Sequence, residues 1–181
     1  MKKYSAVTFL VTGLVAGFAA SAAEGDPLTV VQRMIAAENA GNLEAVLALW
    51  DDDGTIVNTR GRRIKGKEAI RNFTSTNISR GNQHTLESPT VAGDSVSWLH
   101  TDDTDFYRRL GVAPVNIVSR ATVRDGRIVA YIGYFPHPEI NRIGRACDAP
   151  QATGILLFGQ PCTEFIRAVR AHTDQVLAVR H

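Results

Sequence analysis

Hydrophobic positions recur with a helical period in the first part of this chain and alternate in the second, and the change of period divides it into helices first and strands after. Asp26-Pro27 offers a cap acceptor followed by a residue with no amide hydrogen to leave unpaired, so a helix is predicted to start there and stop at Gly41. Leu28, Val31, Met34 and Ile35 share its inward face. Asn42 can cap a second helix, in which Leu43, Val46, Leu47 and Trp50 form a core-facing stripe. Asp51-Asp52-Asp53-Gly54 is read as a solvated turn into a strand Thr55 to Thr59, and a third helix spans Lys67 to about Ser79. The aspartates lack the spaced ligands and distal glutamate of an EF-hand loop, which argues against calcium.

Beyond Ser79 the pattern alternates. Strands are predicted at His84 to Val91, Ser95 to Tyr107, Val115 to Arg124 and Arg127 to Phe135, with hairpin turns at Ala92-Gly93-Asp94 and Arg124-Asp125-Gly126. A last helix, Cys162 to Arg180, carries Phe165, Val169, His172 and Val176 along one stripe. The order of elements is an α+β plan: three N-terminal helices packed on a curved antiparallel sheet, plus a C-terminal helix.

Alternation also assigns faces. Ile56 and Asn58 share one side of the first strand. Val96, Trp98, His100, Asp102, Thr104 and Phe106 make the face richer in large apolar groups, and Val115, Ile117, Ser119, Ala121 and Val123 leave Ser119 as a polar group on a buried row. On the last strand the inward row is expected to be Ile128, Ala130, Ile132 and Tyr134.

The N-terminus changes how charge is read. Lys2 and Lys3 precede an apolar run from Ala6 to Ala20 and the small-residue site Ala20-Ser21-Ala22, the three-part pattern of a cleavable secretory signal over residues 1–22. The run is short and broken by Gly13 and Gly17, unlike a membrane anchor, so no membrane association is expected after cleavage. Two of the 20 Lys+Arg lie in that segment and none of the 18 Asp+Glu, so 18 basic residues face 18 acidic ones in the remainder. A neutral domain lacks the electrostatic footprint of a nucleic-acid binder. The expected location is outside the cytoplasm, periplasmic or secreted. The only cysteines, Cys147 and Cys162, read as a disulfide in an exported chain, closing a loop worth about 3 kcal/mol in the chain-entropy model. Two isolated cysteines do not make a zinc site, and no metal or other cofactor is expected.

The run VVQRMIAAENAGNLEAVLALW resembles the first two helices of ketosteroid isomerase, and GKEAIRNF resembles its third. These residues resemble the entry into the cone-shaped nuclear transport factor 2-like fold, and within it the ketosteroid isomerases and SnoaL-like polyketide cyclases. The resemblance implies a cone-like domain over residues 23–145, followed by a disulfide-stapled helical extension over 146–181. It also implies catalytic positions: the isomerase tyrosine falls on Met34, the base on Asn58 and the second hydrogen-bond donor on Ser119. Methionine offers no proton, an asparagine amide is not a base near neutral pH, and a serine hydroxyl is a weaker donor than a carboxylic acid. Isomerase chemistry is therefore not expected.

Three functions stay open at this point. The first is a binding module holding a small hydrophobic molecule in an apolar cavity touched by Met34, Asn58, Trp98, Ser119 and Tyr134. The second is a cofactor-free isomerase, cyclase or hydratase using Asp102 with His100, two apart on one strand; SnoaL-like cyclases and limonene epoxide hydrolases, which resemble this fold, place an acidic residue on a cavity-facing strand. The third is an interaction domain that forms a homodimer. His84 receives no role, and His172 is expected to be a satisfied helix-interface histidine.

Overall fold

A computed structural model describes residues 25–157 and 159–179. The leader expected over residues 1–22 lies outside them. Both predicted caps form: Asp26 Oδ2 accepts from the Thr29 amide at 2.9 Å to start α1 (Pro27–Asn39), and Asn42 Oδ1 accepts from the Ala45 amide at 3.1 Å to start α2 (Leu43–Ala48). β1 (Trp50–Val57), β2 (Arg63–Lys65) and α3 (Lys67–Ser79) follow. Then come β3 (Glu87–Ala92), β4 (Ser95–Asp102), the short α4 (Asp105–Arg109), β5 (Val115–Arg124) and β6 (Arg127–Tyr134). The chain ends with α5 (His137–Cys147), a small hairpin of β7 (Leu156–Leu157) and β8 (Gln160–Pro161), and α6 (Cys162–Ala178).

The main sheet runs β2-β1-β6-β5-β4-β3, antiparallel except where β1 lies parallel to β6. Its curved face is closed by α1 and α3, so the architecture is the expected α+β cone. Val30, Val31, Met34 and Ile35 of α1 pack with Trp50, Ile56, Trp98, Ala121 and Val123 in the first core. A second core joins Phe106 and Tyr107 of α4 to Phe135, Ile140, Ile143, Phe165 and Val169, with aromatic rings meeting edge-on. Here α5 and α6 pack together and the Cys147–Cys162 disulfide ties the end of one to the start of the other.

Several boundaries differ from expectation for identifiable reasons. Trp50 is buried as the α2 stripe requires, but it opens β1, because the sheet captures the chain there: the Ile128 amide donates to Leu49 O at 2.8 Å. β1 therefore begins before the three aspartates, which bulge between Trp50 and Thr55. β4 ends at Asp102 instead of continuing to Tyr107. Phe106 and Tyr107 are adjacent and both buried in one core, which a strand, pointing them to opposite faces, does not arrange but a helical turn does. β3 begins at Glu87, three residues later than expected. The helix α5 was not anticipated, although Ile140, Ile143 and Cys147 have helical spacing; the expected boundary between residues 145 and 146 falls inside it. Arg142 of α5 donates to Val112 O and Pro114 O, both at 2.6 Å, and pairs with Glu139, anchoring α5 to the segment before β5.

Candidate functional site

A cavity of about 670 Å³ opens between the concave face of the sheet and helices α1 and α3. Its walls combine Met34 and Ile35 of α1, Ile56 of β1, Phe73 of α3, and Trp98, His100 and Asp102 of β4. The even-numbered row of β4 does face inward as alternation requires, and so does the odd-numbered row of β5.

β6 departs from its expected row. Val123 of β5 pairs with Ile128, but Thr122 pairs with Ala130, so β6 carries one extra residue at Val129. This bulge moves every later side chain to the opposite face. Tyr131 and Gly133 line the cavity, Ala130 is exposed, and Tyr134 stands opposite Val118, away from the cavity row. The pocket position assigned to Tyr134 thus belongs to Tyr131.

Tyr131 completes a buried polar chain. Its hydroxyl lies 2.6 Å from Ser119 Oγ, which lies 3.2 Å from His100 Nδ1. Ser119 has no exposed surface and His100 only 3 %. The ring of His84 meets that of His100 edge-on, with centroids 5.1 Å apart, and His84 Nε2 stands 3.8 Å from Glu38 Oε2. His84 is held there from a distance: its amide donates to Asn39 Oδ1, and Asn39 Nδ2 donates to its carbonyl, both at 2.8 Å. The chain Glu38–His84–His100–Ser119–Tyr131 therefore draws on α1, the α3–β3 connection, β4, β5 and β6.

Burial dominates the acid–base character of these groups. It raises the Glu38 carboxyl to about 7. It lowers His100 to about 3, with His84 adding repulsion, and it lowers His84 as well. Asp102 is pushed up to about 6 by burial and then by Asp103, against the pull of Arg80. Tyr131 is raised by burial although its bond to Ser119 opposes this. Near neutral pH the chain thus presents uncharged imidazoles and hydroxyls, with two carboxyls titrating close to neutrality.

Of the sequence-derived residues, Met34, Asn58, Trp98, His100 and Asp102 line one cavity and Ser119 lies directly behind it. His100 and Asp102 share a face, yet among the described residues no hydrogen bond joins them: His100 Nδ1 meets Ser119, not Asp102. Asn58 spends its side-chain oxygen on the amides of Arg60 and Arg62, at 3.1 and 3.0 Å, and so shapes the β1–β2 loop. Glu38, His84 and Tyr131 were missed. Glu38 follows Met34 by one helical turn and Val31 by two, a carboxyl on the apolar stripe, which is the signal that betrays it. His172 is buried and its Nε2 lies 3.1 Å from Gly133 O, as a satisfied interface histidine should.

This cone, with helices closing a sheet over a mixed polar and apolar cavity, defines a class. Residues 31–131 match the SnoaL-like domain, and the chain belongs to that family. Solved structures with the same fold include SalBIII, an epoxide hydrolase/cyclase-like enzyme of pyran ring formation in the polyether salinomycin: 16 % identity, 64 % of this chain and 95 % of that one, TM-score 0.56. A protein of ketosteroid isomerase-like fold from Catenulispora acidiphila, in complex with trimethylamine, matches at 19 % identity over 68 % of this chain and 95 % of its own, TM-score 0.51. A computationally designed 17-OHP binder matches at 24 % over 62 % and 92 %, TM-score 0.52. At these identities the likeness is one of fold. No curated protein matches the sequence.

Proposed function

We propose that this SnoaL-like chain is an exported protein that binds a small, largely hydrophobic molecule in its cavity, without ketosteroid isomerase chemistry. The cavity carries this reading: about 670 Å³ walled by Met34, Ile56, Phe73 and Trp98, a volume and lining suited to one small organic molecule. The groups at the isomerase positions support the negative half, since Met34 has no proton to give, Asn58 is occupied in its loop and Ser119 is bonded to two neighbours. The designed 17-OHP binder of the same fold is in keeping with it. Export is supported by the Cys147–Cys162 disulfide and the N-terminal sequence pattern. Among the described residues no helix is long and apolar enough to cross a membrane.

The test is titration with phenylnaphthylamine, an uncharged fluorophore that brightens in dry pockets. It should bind the wild type and raise its melting temperature. A Cβ at Gly133 would find only ordinary contacts, at 3.6 Å and beyond, so Gly133→Leu should fill the cavity while the chain still folds. Unchanged binding by that variant would reject the cavity as the site.

Acid–base turnover is a second reading, favoured by one observation: two carboxyls, Glu38 and Asp102, face the same cavity and are raised toward neutrality beside neutral imidazoles. It is an isomerase-, cyclase- or hydratase-type reaction using Asp102 with His100, extended to Glu38 with His84. Proton exchange at carbon of a bound ketone, followed by NMR in deuterium oxide, should then be lost in Asp102→Asn or Glu38→Gln. Exchange at the wild-type rate in both variants would eliminate this chemistry.

A further inference from the structure

We propose, building on the cavity-binding reading above, that the cavity mouth is an anion site and that the natural ligand is an amphipathic organic acid, its apolar body inside and its acid group at Arg60, Arg62 and Arg80. The domain is neutral as a whole, but its charge is unevenly spread. Arg60, Arg62, Arg63 and Lys65 all reach the cavity from the β1–β2 loop and β2, and Arg80 joins them from the end of α3. Only Glu38 and Asp102 oppose these five among the lining residues.

Five basic groups away from the mouth are matched to carboxylates. Lys67 pairs with Asp52, Arg71 with Glu44, Arg108 with Asp103 and Asp105, Arg124 with Asp94, and Arg142 with Glu139. Arg62, Arg63 and Lys65 make no ion pair among the described residues. Their loop is also fixed in shape. Asn58 Oδ1 binds the amides of Arg60 and Arg62, the Asn58 amide donates to Arg62 O at 3.1 Å, and the Gly61 amide donates to Asn58 O at 2.9 Å. Gly61 has φ +75° and lies so near the His172 ring that a Cβ there would come within 3.2 Å of Nδ1. The backbone that carries Arg60 and Arg62 is thus a wedged loop, fixed in shape before any ligand arrives.

The electrostatics agree with this layout. Burial lowers the Arg60 guanidinium, and the nearby charges of Arg62 and Arg80 lower it further, so three like charges crowd one partly dry wall. An anion arriving there relieves their repulsion and accepts charge-assisted hydrogen bonds. The neutral wall of Met34, Ile56 and Trp98 behind them suits a hydrocarbon body, and sets an organic acid apart from inorganic phosphate.

A matched pair of probes tests this. Anilinonaphthalene sulfonate and phenylnaphthylamine share one aromatic frame and differ by the sulfonate. The sulfonate should bind wild type about tenfold more tightly, and the preference should shrink at high salt. The exposed pair Arg62→Gln with Arg80→Gln, and separately Arg60→Gln, should remove the preference and leave the neutral probe's affinity unchanged, with melting confirming the fold. Equal affinity for both probes in wild type, or equal weakening of both in the variants, overturns the anion site while leaving cavity binding intact. If instead neither probe binds, or both bind Gly133→Leu as well as wild type, cavity binding itself fails.

Discussion

The Tyr131 hydroxyl lies 2.6 Å from Ser119 Oγ, inside a strand pair where neither residue is directly opposite the other. Ser119 pairs with Gly133 and Tyr131 with Ala121, so the bond runs diagonally across the concave face toward His100. Ser119→Ala strips a partner from both Tyr131 and His100 and should cost about 1–3 kcal/mol in urea unfolding. Tyr131→Phe leaves the Ser119–His100 contact and should cost about 1 kcal/mol. The double variant should cost less than the two losses added together. Strict additivity would show that the three groups do not act as a chain.

Glu38 makes stability depend on pH in a defined direction. Its folded pKa, about 7, lies above the ordinary carboxyl value, so its neutral form is the one the fold tolerates. That contribution is complete below about pH 4.5 and is lost as pH rises through 7. Glu38→Gln should therefore be more stable than wild type at pH 8, by up to about 3 kcal/mol, with the gap closing toward pH 4. His84 and Tyr131 face the same group, with His100 behind His84, and all three are present in both proteins, so the pH-dependent part of the difference reports on Glu38. A difference independent of pH would disprove the assignment.

His100 has the opposite sign. Burial and His84 lower it to about 3, so the stability of its neutral form is complete above about pH 6.5 and is lost as pH falls through 3. In NMR titration its ring should keep neutral-imidazole shifts below pH 5. A midpoint near 6.5 would mean that the ring is wet and the buried chain open.

How far the sequence reached can be judged from the same residues. The caps at Asp26 and Asn42, the α3 limits and the inward rows of β4 and β5 were legible because each depends on local spacing. Tyr131 was not, because nothing local marks Val129 as an extra residue; only pairing with β5 reveals it. His84 was equally hidden, since its place is set by Asn39, 45 residues earlier. The end of β4 misled because Phe106 continues its apolar alternation while Tyr107, buried beside it, breaks it.

Reduction should loosen the C-terminal core and spare the cone. Cys147 and Cys162 are separated by 15 residues, and opening that loop should cost about 3 kcal/mol. Hydrogen exchange in the Cys147→Ser/Cys162→Ser protein should rise in α5 and α6 and stay low in α1 and β5. Uniform acceleration would indicate that the two cores unfold as one.

Gly54 is predicted to resist substitution. A Cβ there would stand 2.8 Å from the Trp50 ring and 3.0 Å from Asp51 O. Gly54→Ala should destabilise by about 1–3 kcal/mol through this overpacking, read as a lower urea midpoint. An unchanged midpoint would show that the Trp50 ring moves aside at little cost.

The extra residue at Val129 acts on β6 as an inserted base acts on a reading frame. Upstream the strand is read one way, with Ile128 toward the core; downstream the same alternation is read the other way, exposing Ala130 and turning Tyr131 inward. Were Val129 paired in register with Thr122 instead of bulging, Ala130 and Ile132 would face inward and Tyr131 outward, exchanging a phenol for hydrocarbon without substituting a single residue. The polarity of the cavity thus depends on where one strand holds its extra residue.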